Sequence, residues 1–297
     1  MDPVRPALLP EASLSREEMK ARQREVAETA VFDDRFDCGA GAVDLGNVTL
    51  ETVDVASDER PLVAGIDQAF VDDVALSAVV VLRGDTVVER THAVTALSTP
   101  YILGLLSFRE GAAIIAALGT LDCDPDLLCF DGSGRLHYRQ AGLATHIGVV
   151  FDVPAIGVAK RLLCGTPRES TAGRPAGWRT PIAAASDDNG RGVDAPPETV
   201  VGYAYQSRQY DSPNRHINPL YVSPGHRLSA ETTADLVAAL CDGYKLPEPT
   251  RLADSYADEI KNELPEADGL ADVAELQEAG GLSAAEDTKT GSSADGV

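Results

Sequence analysis

The sequence predicts an α/β fold on one mixed sheet, an antiparallel meander followed by parallel strands, with helices on its faces. Two observations lead to it. Three strand-like runs rich in β-branched residues follow one another directly, the last two separated only by Gly84-Asp85, a tight-hairpin signal. After them, short apolar runs alternate with longer segments of helical periodicity, which is the order of βαβ crossover units.

The elements follow in order. Ser15-Arg16-Glu17-Glu18 is a capping box and opens a helix that should run to about residue 30. Residues 63–70, 76–83 and 86–94 are the three meander strands. Residues 105–118 are expected as a helix, 127–131 as a short buried strand, 140–151 as a helix and 155–159 as another strand. Further strands are expected at 199–206 and 220–223, and a helix at 230–239. Three antiparallel strands feeding crossover units is the order of the ribonuclease H-like fold.

A chain of 297 residues, 44% of them hydrophobic, can bury a full core, and one domain over residues 1–262 is expected. Residues 263–297 carry nine acids against Lys289 among interspersed Gly and Ser, the composition of a disordered acidic tail. Residues 167–197, rich in Gly, Pro, Ser and Asp, read as a loop-rich insert on an otherwise continuous fold. No stretch approaches the roughly 20 apolar residues that cross a bilayer, and residues 1–10 lack a basic region followed by an apolar one. A soluble, cytoplasmic protein with no membrane partner is expected. The five cysteines are odd in number and scattered without a C-x-x-C pair, which argues against a disulfide framework or structural zinc.

The formal charge is −22 and the lysines number only five: Lys20, Lys160, Lys245, Lys261 and Lys289. Such a surface suits high intracellular salt, where the Debye length shrinks to about 3 Å near 1 M and self-repulsion is screened. The composition reads as that of a halophile; the bland alternative is an ordinary acidic protein with an acidic tail.

Four residues able to bind a hard metal are spread along the middle of the chain: Asp67, Glu110, Asp131 and His226. Asp67 and Asp131 each end a buried, strand-like run, where an unpaired charge costs several kcal/mol or is neutralised by a shifted pKa. Neighbouring strands would bring the two carboxylates together. Oxygen ligands with retained water are what Mg²⁺ prefers, with Mn²⁺ as a substitute, and the set points to metal-assisted hydrolysis of an anionic substrate. Taken singly, each acid could equally cap a turn. Lys160 lies just past the strand 155–159, placed to hold a phosphate oxygen or orient a water. Asp122-x-Asp124-x-Asp126 begins like a calcium loop but has Leu127 where glycine is required, so it reads as a polar connection.

Several blocks carry a resemblance. Leu62-Val63-Ala64-Gly65-Ile66-Asp67, the run from Pro100-Tyr101 through Phe108-Arg109-Glu110, Asp131-Gly132-Ser133-Gly134-Arg135-Leu136-His137 and Ile156-Gly157-Val158-Ala159-Lys160 resemble the signature blocks of the endonuclease V family. The resemblance extends over about residues 13–261. It implies a ribonuclease H-like, Mg²⁺-dependent repair endonuclease that recognises deaminated adenine, hypoxanthine, in DNA and hydrolyses the second phosphodiester bond on its 3′ side. By matching position, Asp67, Glu110 and Asp131 would be the metal-binding carboxylates, His226 a further catalytic group near the metal, and Lys160 the phosphate or water partner. Tyr101 would be a wedge that holds the strand open while the altered base is turned out. Leu106, Gly132, Gly134, His137 and Leu163 would line the base pocket. The family usually carries proline where Leu103 stands, and an apolar residue where Gln68 stands.

Local charge fits such a partner despite the overall acidity. Residues 132–165 hold Arg135, Arg139, Lys160 and Arg161 against Asp152, and residues 199–227 hold Arg208, Arg215 and Arg227 against Asp211. Two competing readings stand beside the DNA nuclease: an endonuclease acting on inosine-containing RNA, and a damaged-DNA-binding protein without catalysis.

Overall fold

The structure, a computed structural model, describes residues 1–36, 40–43, 59–185, 192–212 and 214–263. The capping box forms as expected: the Ser15 hydroxyl accepts from the Glu18 amide, Glu18 accepts from the Ser15 amide, and helix α1 (Arg16–Thr29) follows. Its buried stripe, Met19, Gln23 and Val26, has helical spacing, but one of the three is polar.

Strands β1 (Leu62–Val71), β2 (Val74–Arg83) and β3 (Thr86–Ala96) form the antiparallel meander. Helix α2 (Leu106–Gly119) leads to β4 (Leu127–Asp131), which pairs parallel with β1; α3 (Leu143–Phe151) leads to β5 (Ala155–Ala159), parallel with β4. The chain then turns back on itself. Strands β6 (Thr166–Pro167), β7 (Arg179–Ala183), β8 (Val200–Tyr205) and β9 (Leu220–His226) complete a nine-stranded sheet in the order β3-β2-β1-β4-β5-β9-β8-β7-β6. Helices α4 (Ala230–Ala239) and α5 (Glu248–Glu263) close the described chain. This is the mixed α/β architecture expected, with the meander and the parallel strands in the expected order.

Period-two alternation divides the core. Ala64, Ile66, Leu128 and Phe130 face α2 and α3 in one apolar cluster, while Val63, Leu127, Cys129, Ile156 and Val158 face α4 in another. Asp67 and Asp131 continue the second set of rows. Helix α5 covers the meander with Ala253, Ala257 and Ile260, and it comes very close to β1: a Cβ on Gly65 would lie 2.0 Å from the Pro249 carbonyl oxygen. Only glycine admits that approach, and the approach brings α5 alongside Asp67.

Residues 167–197, read from composition as a loop, contribute β7 to the sheet, and residues 186–191 lie outside the described residues. The pattern did not announce α5, because its buried stripe, Pro249, Thr250, Ala253, Ala257 and Ile260, carries one large apolar residue among acids. Of the acidic segment 263–297, only Glu263 is described, as the last residue of α5. Cys123, Cys129, Cys164 and Cys241 are free thiols, and Cys38 lies outside the described residues. Among the described residues, no helix is long and apolar enough to cross a membrane.

Candidate metal centre and its surroundings

Parallel pairing of Ile66 with Phe130 makes Asp67 and Asp131 the next residues on adjacent strands. Strands about 4.8 Å apart therefore place both carboxylates side by side on one face. From α5, Asp254 joins them: one carboxylate oxygen from each of Asp67, Asp131 and Asp254 lies within 4.8 Å of the other two. Glu110 stands outside that set but faces the same centre from α2, near enough that Asp67 and Asp131 disfavour its charged form. Lys160 Nζ donates to Asp131 Oδ2 at 2.6 Å and lies 3.9 Å from Asp254 Oδ1.

The electrostatics are those of crowded carboxylates. Burial, then the charges of Asp131 and Asp254, raise the Asp67 pKa to about 7 against the opposing pull of Lys160. Burial is also the main cause at Glu110, pushed up to about 8, with Arg109 opposing it. At Lys160, burial pulls downward, but the hydrogen bond to Asp131 and the charges of Asp131, Asp67 and Asp254 outweigh it and raise the pKa. A divalent cation would relieve the repulsion. The donors are all carboxylate oxygens, and Asp131 and Asp254 remain partly open to water, so the set fits a hard cation that keeps part of its hydration.

Asp254 is the ligand candidate that sequence reasoning missed. Asp258 and Glu259 beside it make the segment look like a solvated helix face, and only the packing of α5 on Gly65 reveals its position. Lys245 was missed as well. Burial lowers its pKa, Lys160 adds to the lowering and Asp131 opposes it, which places its amine in the field of the same centre.

His226 is not brought to the acids. It pairs with Ala155, whereas Asp131 pairs with Val158, so it sits three residues back along β5, roughly 10 Å along the strand direction, and two strands across from β4. Both ring nitrogens are engaged: the Val31 amide donates to Nδ1 at 3.1 Å, and Nε2 donates to Asp152 Oδ1 at 3.1 Å. Burial lowers its pKa, partly offset by Asp152, which also binds Arg5 and Arg227.

Tyr101 and Leu103 project from the loop between β3 and α2, 65% and 59% exposed. Their loop is nevertheless anchored at Gly104, which has a φ of +78°. The Gly104 carbonyl accepts from Gln23 Nε2 at 3.0 Å, Arg139 Nη2 at 3.0 Å and His137 Nε2 at 3.1 Å. Gln23 also donates to the Ala141 carbonyl and accepts from Arg139 Nε at 2.6 Å, which explains a buried amide on the apolar stripe of α1. Rigidity that a proline at position 103 would give locally comes here from three donors on one carbonyl. His137 is neutral: burial, chiefly, pushes its pKa down to about 3, and its Nδ1 accepts from the Arg139 amide.

The turn after β4 lies flat on the sheet. A Cβ on Gly134 would be 2.3 Å from the Pro224 carbonyl oxygen, and the Gly134 amide donates to Ser223 Oγ at 3.0 Å. Gly132 donates to the Val158 carbonyl beside it. Leu106 begins α2 directly after Gly104-Leu105, and Leu163 packs partly buried against the cluster of Leu136 and Cys164. Thus the structure gathers Asp67, Glu110, Asp131 and Lys160 at one centre, joins His137 to the Tyr101 loop, and sets His226 apart.

Comparison with known proteins agrees with this architecture. The family model described as Endonuclease V matches residues 47–255. The Endonuclease V of the haloarchaeon Haloarcula marismortui is 58% identical over 268 residues, spanning 87% of this chain and 97% of its own length. Among solved structures, Endonuclease V from Streptomyces avermitilis superposes with a TM-score of 0.65 at 31% identity, covering 84% of this chain and 95% of that one. Ciona intestinalis Endonuclease V, in complex with a 24mer DNA containing an inosine followed by a ribo-adenosine, shares the fold with a TM-score of 0.61 at 24% identity, over 84% and 98% of the two chains.

Proposed function

The chain belongs to the endonuclease V family, and from that premise we propose that it is a Mg²⁺-dependent repair endonuclease that recognises hypoxanthine in DNA and hydrolyses the second phosphodiester bond on its 3′ side. The observation that carries this reading is the convergence of Asp67, Asp131 and Asp254 within 4.8 Å, with Lys160 against two of them. These three carboxylates, with Glu110 completing the set from α2, would hold Mg²⁺ or Mn²⁺. When bound, such an ion lowers the pKa of a water and stabilises charge on the phosphate.

The chain's own groups do the positioning. Lys160 is the cation beside the acids, placed to hold a phosphate oxygen while its bond to Asp131 fixes its direction. Tyr101, exposed on a loop whose Gly104 carbonyl is held by three donors, acts as the wedge in the base stack. The extruded base would lie among Leu106, Gly132, Gly134 and Leu163, where glycine lets backbone groups approach it. His137, with both nitrogens occupied, shapes this pocket rather than reading the base. His226 ties β9 to Val31 after α1 and to Asp152 at the end of α3, outside the reacting centre.

The test is cleavage of duplex DNA carrying one deoxyinosine by the purified protein with Mg²⁺ at high salt. A nick at the second bond 3′ to the lesion is expected; an intact substrate under all salt and pH conditions would sink the proposal. The ribo-adenosine after the inosine in the Ciona complex favours comparing matched RNA. Faster cutting of inosine-containing RNA would transfer the assignment to that substrate.

Gln23 supplies a separate prediction. Gln23→Leu keeps the apolar stripe of α1 but removes the bonds to Gly104, Ala141 and Arg139. Losing buried hydrogen bonds worth about 1–2 kcal/mol to the wedge loop should raise KM for the lesion strand about tenfold with little change in kcat. Fluorescence of 2-aminopurine placed beside the lesion should show weaker unstacking. Unchanged KM and fluorescence would remove Gln23 from wedge positioning.

A further inference from the structure

We propose that Tyr210, stacked against the guanidinium of Arg215, is a second aromatic station for the substrate strand, taking bases of the flank that passes the β8–β9 side of the acidic centre. The proposal rests on the nucleic-acid reading above. Register places residues 206–212 and 214–219 at the reacting end of the sheet. Asp131 pairs with Val158, Val158 with Val222 and Val222 with Tyr203, and the loop leaves β8 just beyond that row. At its base, Ser207 Oγ donates to the carbonyl of Lys245, the lysine whose amine feels Asp131 and Lys160.

The loop is held in shape from within. Fully buried Gln206 donates to the carbonyls of Arg208 and Ile217, at 2.6 and 2.8 Å. Gln209 Oε1 accepts from the amides of Tyr210 and Ile217, at 3.1 and 2.8 Å, and its Nε2 donates to the Arg174 carbonyl at 3.0 Å. That last bond joins the loop to a second stacked pair, Arg174 over Trp178. Yet Tyr210 itself is 38% exposed, and the Arg215 Cζ lies 4.3 Å from its ring centroid. Arg215 forms no ion pair among the described residues. A fixed ring beside an uncommitted guanidinium suits a base next to a phosphate.

Spacing and salt both favour this occupant. From β4, β9 is two strands away and β8 three, about 10–14 Å at 4.8 Å per strand, the rise of three or four stacked nucleotides at about 3.4 Å each. The Tyr101 loop is anchored through Gly104 to the turn after β4, and the Tyr210 segment follows β8, so the two rings are carried by separate segments. In a chain of net charge −22 suited to strong salt, attraction between side-chain cations and phosphates is screened. Stacking keeps its strength there.

The experiment uses the full chain, Mg²⁺ and inosine-containing DNA strands either long on both sides of the lesion or trimmed on one side at a time. Tyr210→Ala should raise KM about tenfold on the long strand with kcat nearly unchanged, and Tyr210→Phe should restore it. The penalty should persist as salt rises and vanish when one flank is trimmed away. Tyr210→Ala behaving as wild type, or losing equally on every strand length, would overturn the assignment and leave the ring a brace of its own loop. Failure of the wild-type chain to cut any lesion strand is a different result: it removes the proposed function and this inference together.

Discussion

Asp131→Asn is expected to lower kcat by about 10³-fold or more while leaving affinity for the lesion strand within about threefold, because several kcal/mol of charge stabilisation depend on the cation it helps hold. The substitution keeps the shape of the side chain at the end of β4 and removes one negative charge from a centre where carboxylate oxygens lie within 4.8 Å of one another. It also weakens the anionic partner that holds Lys160 at 2.6 Å, so the phosphate contact and the cation site are lost together. Binding survives because Tyr101 and its loop are built from other residues. Single-turnover cleavage and a gel-shift or anisotropy titration with the same strand separate the two quantities. Normal cutting would remove Asp131 from the centre; lost binding would make its role one of affinity.

The second large effect is on stability. Asp67, with a pKa raised to about 7 from an ordinary 3.8, and Glu110, raised to about 8 from 4.5, hold protons in the folded protein that the unfolded chain has already released. Stability from these groups is therefore full below the unfolded values and lost as pH rises through the folded ones. Displacements of that size correspond to up to about 4 kcal/mol for a single carboxyl, and the two groups interact, so their effects do not add. Without divalent ions, unfolding free energy should fall between about pH 4 and pH 8, and Asp67→Asn should flatten that slope. Adding Mg²⁺ should restore stability most strongly at the upper end of the window, because the ion binds the ionised carboxylates of the folded state. Denaturant unfolding at fixed salt, with and without Mg²⁺, measures both. A wild-type slope equal to that of Asp67→Asn would mean that Asp67 is not held protonated by its surroundings.

The parts of this molecule that were legible in sequence are those set by local rules. An acid closing an apolar run located Asp67 and Asp131, although only Asp131 ends its strand while β1 continues past Asp67 to Val71, and the alternation of short apolar runs with helical segments located α2 and α3 between parallel strands. The capping box located the start of α1. What stayed hidden depends on contacts between distant segments. Asp254 reaches the centre only because Gly65 lets the start of α5 touch β1, and no periodicity reports a single close approach between backbones. Nothing in the helical pattern marks Gln23; its role comes from the Gly104 and Ala141 carbonyls that the fold brings beside it. His226 illustrates the converse: strand register, not residue type, sets it about three residues from the row of the acids.

The acidic composition fits the haloarchaeal relative, and it bears on mechanism through salt. Where screening weakens phosphate contacts, the roles proposed for the exposed rings Tyr101 and Tyr210 would give them a larger share of strand recognition than basic patches.

Asp67, Asp131 and Asp254 are proposed to share one divalent cation. Crystals grown with Mn²⁺ and measured at a wavelength where manganese scatters anomalously locate that ion independently of any assay. A single strong peak about 2 Å from carboxylate oxygens of Asp67 and Asp131, with Asp254 facing it, is the expected result. A peak elsewhere, or no peak while Lys160 still bridges Asp131 and Asp254, would contradict it.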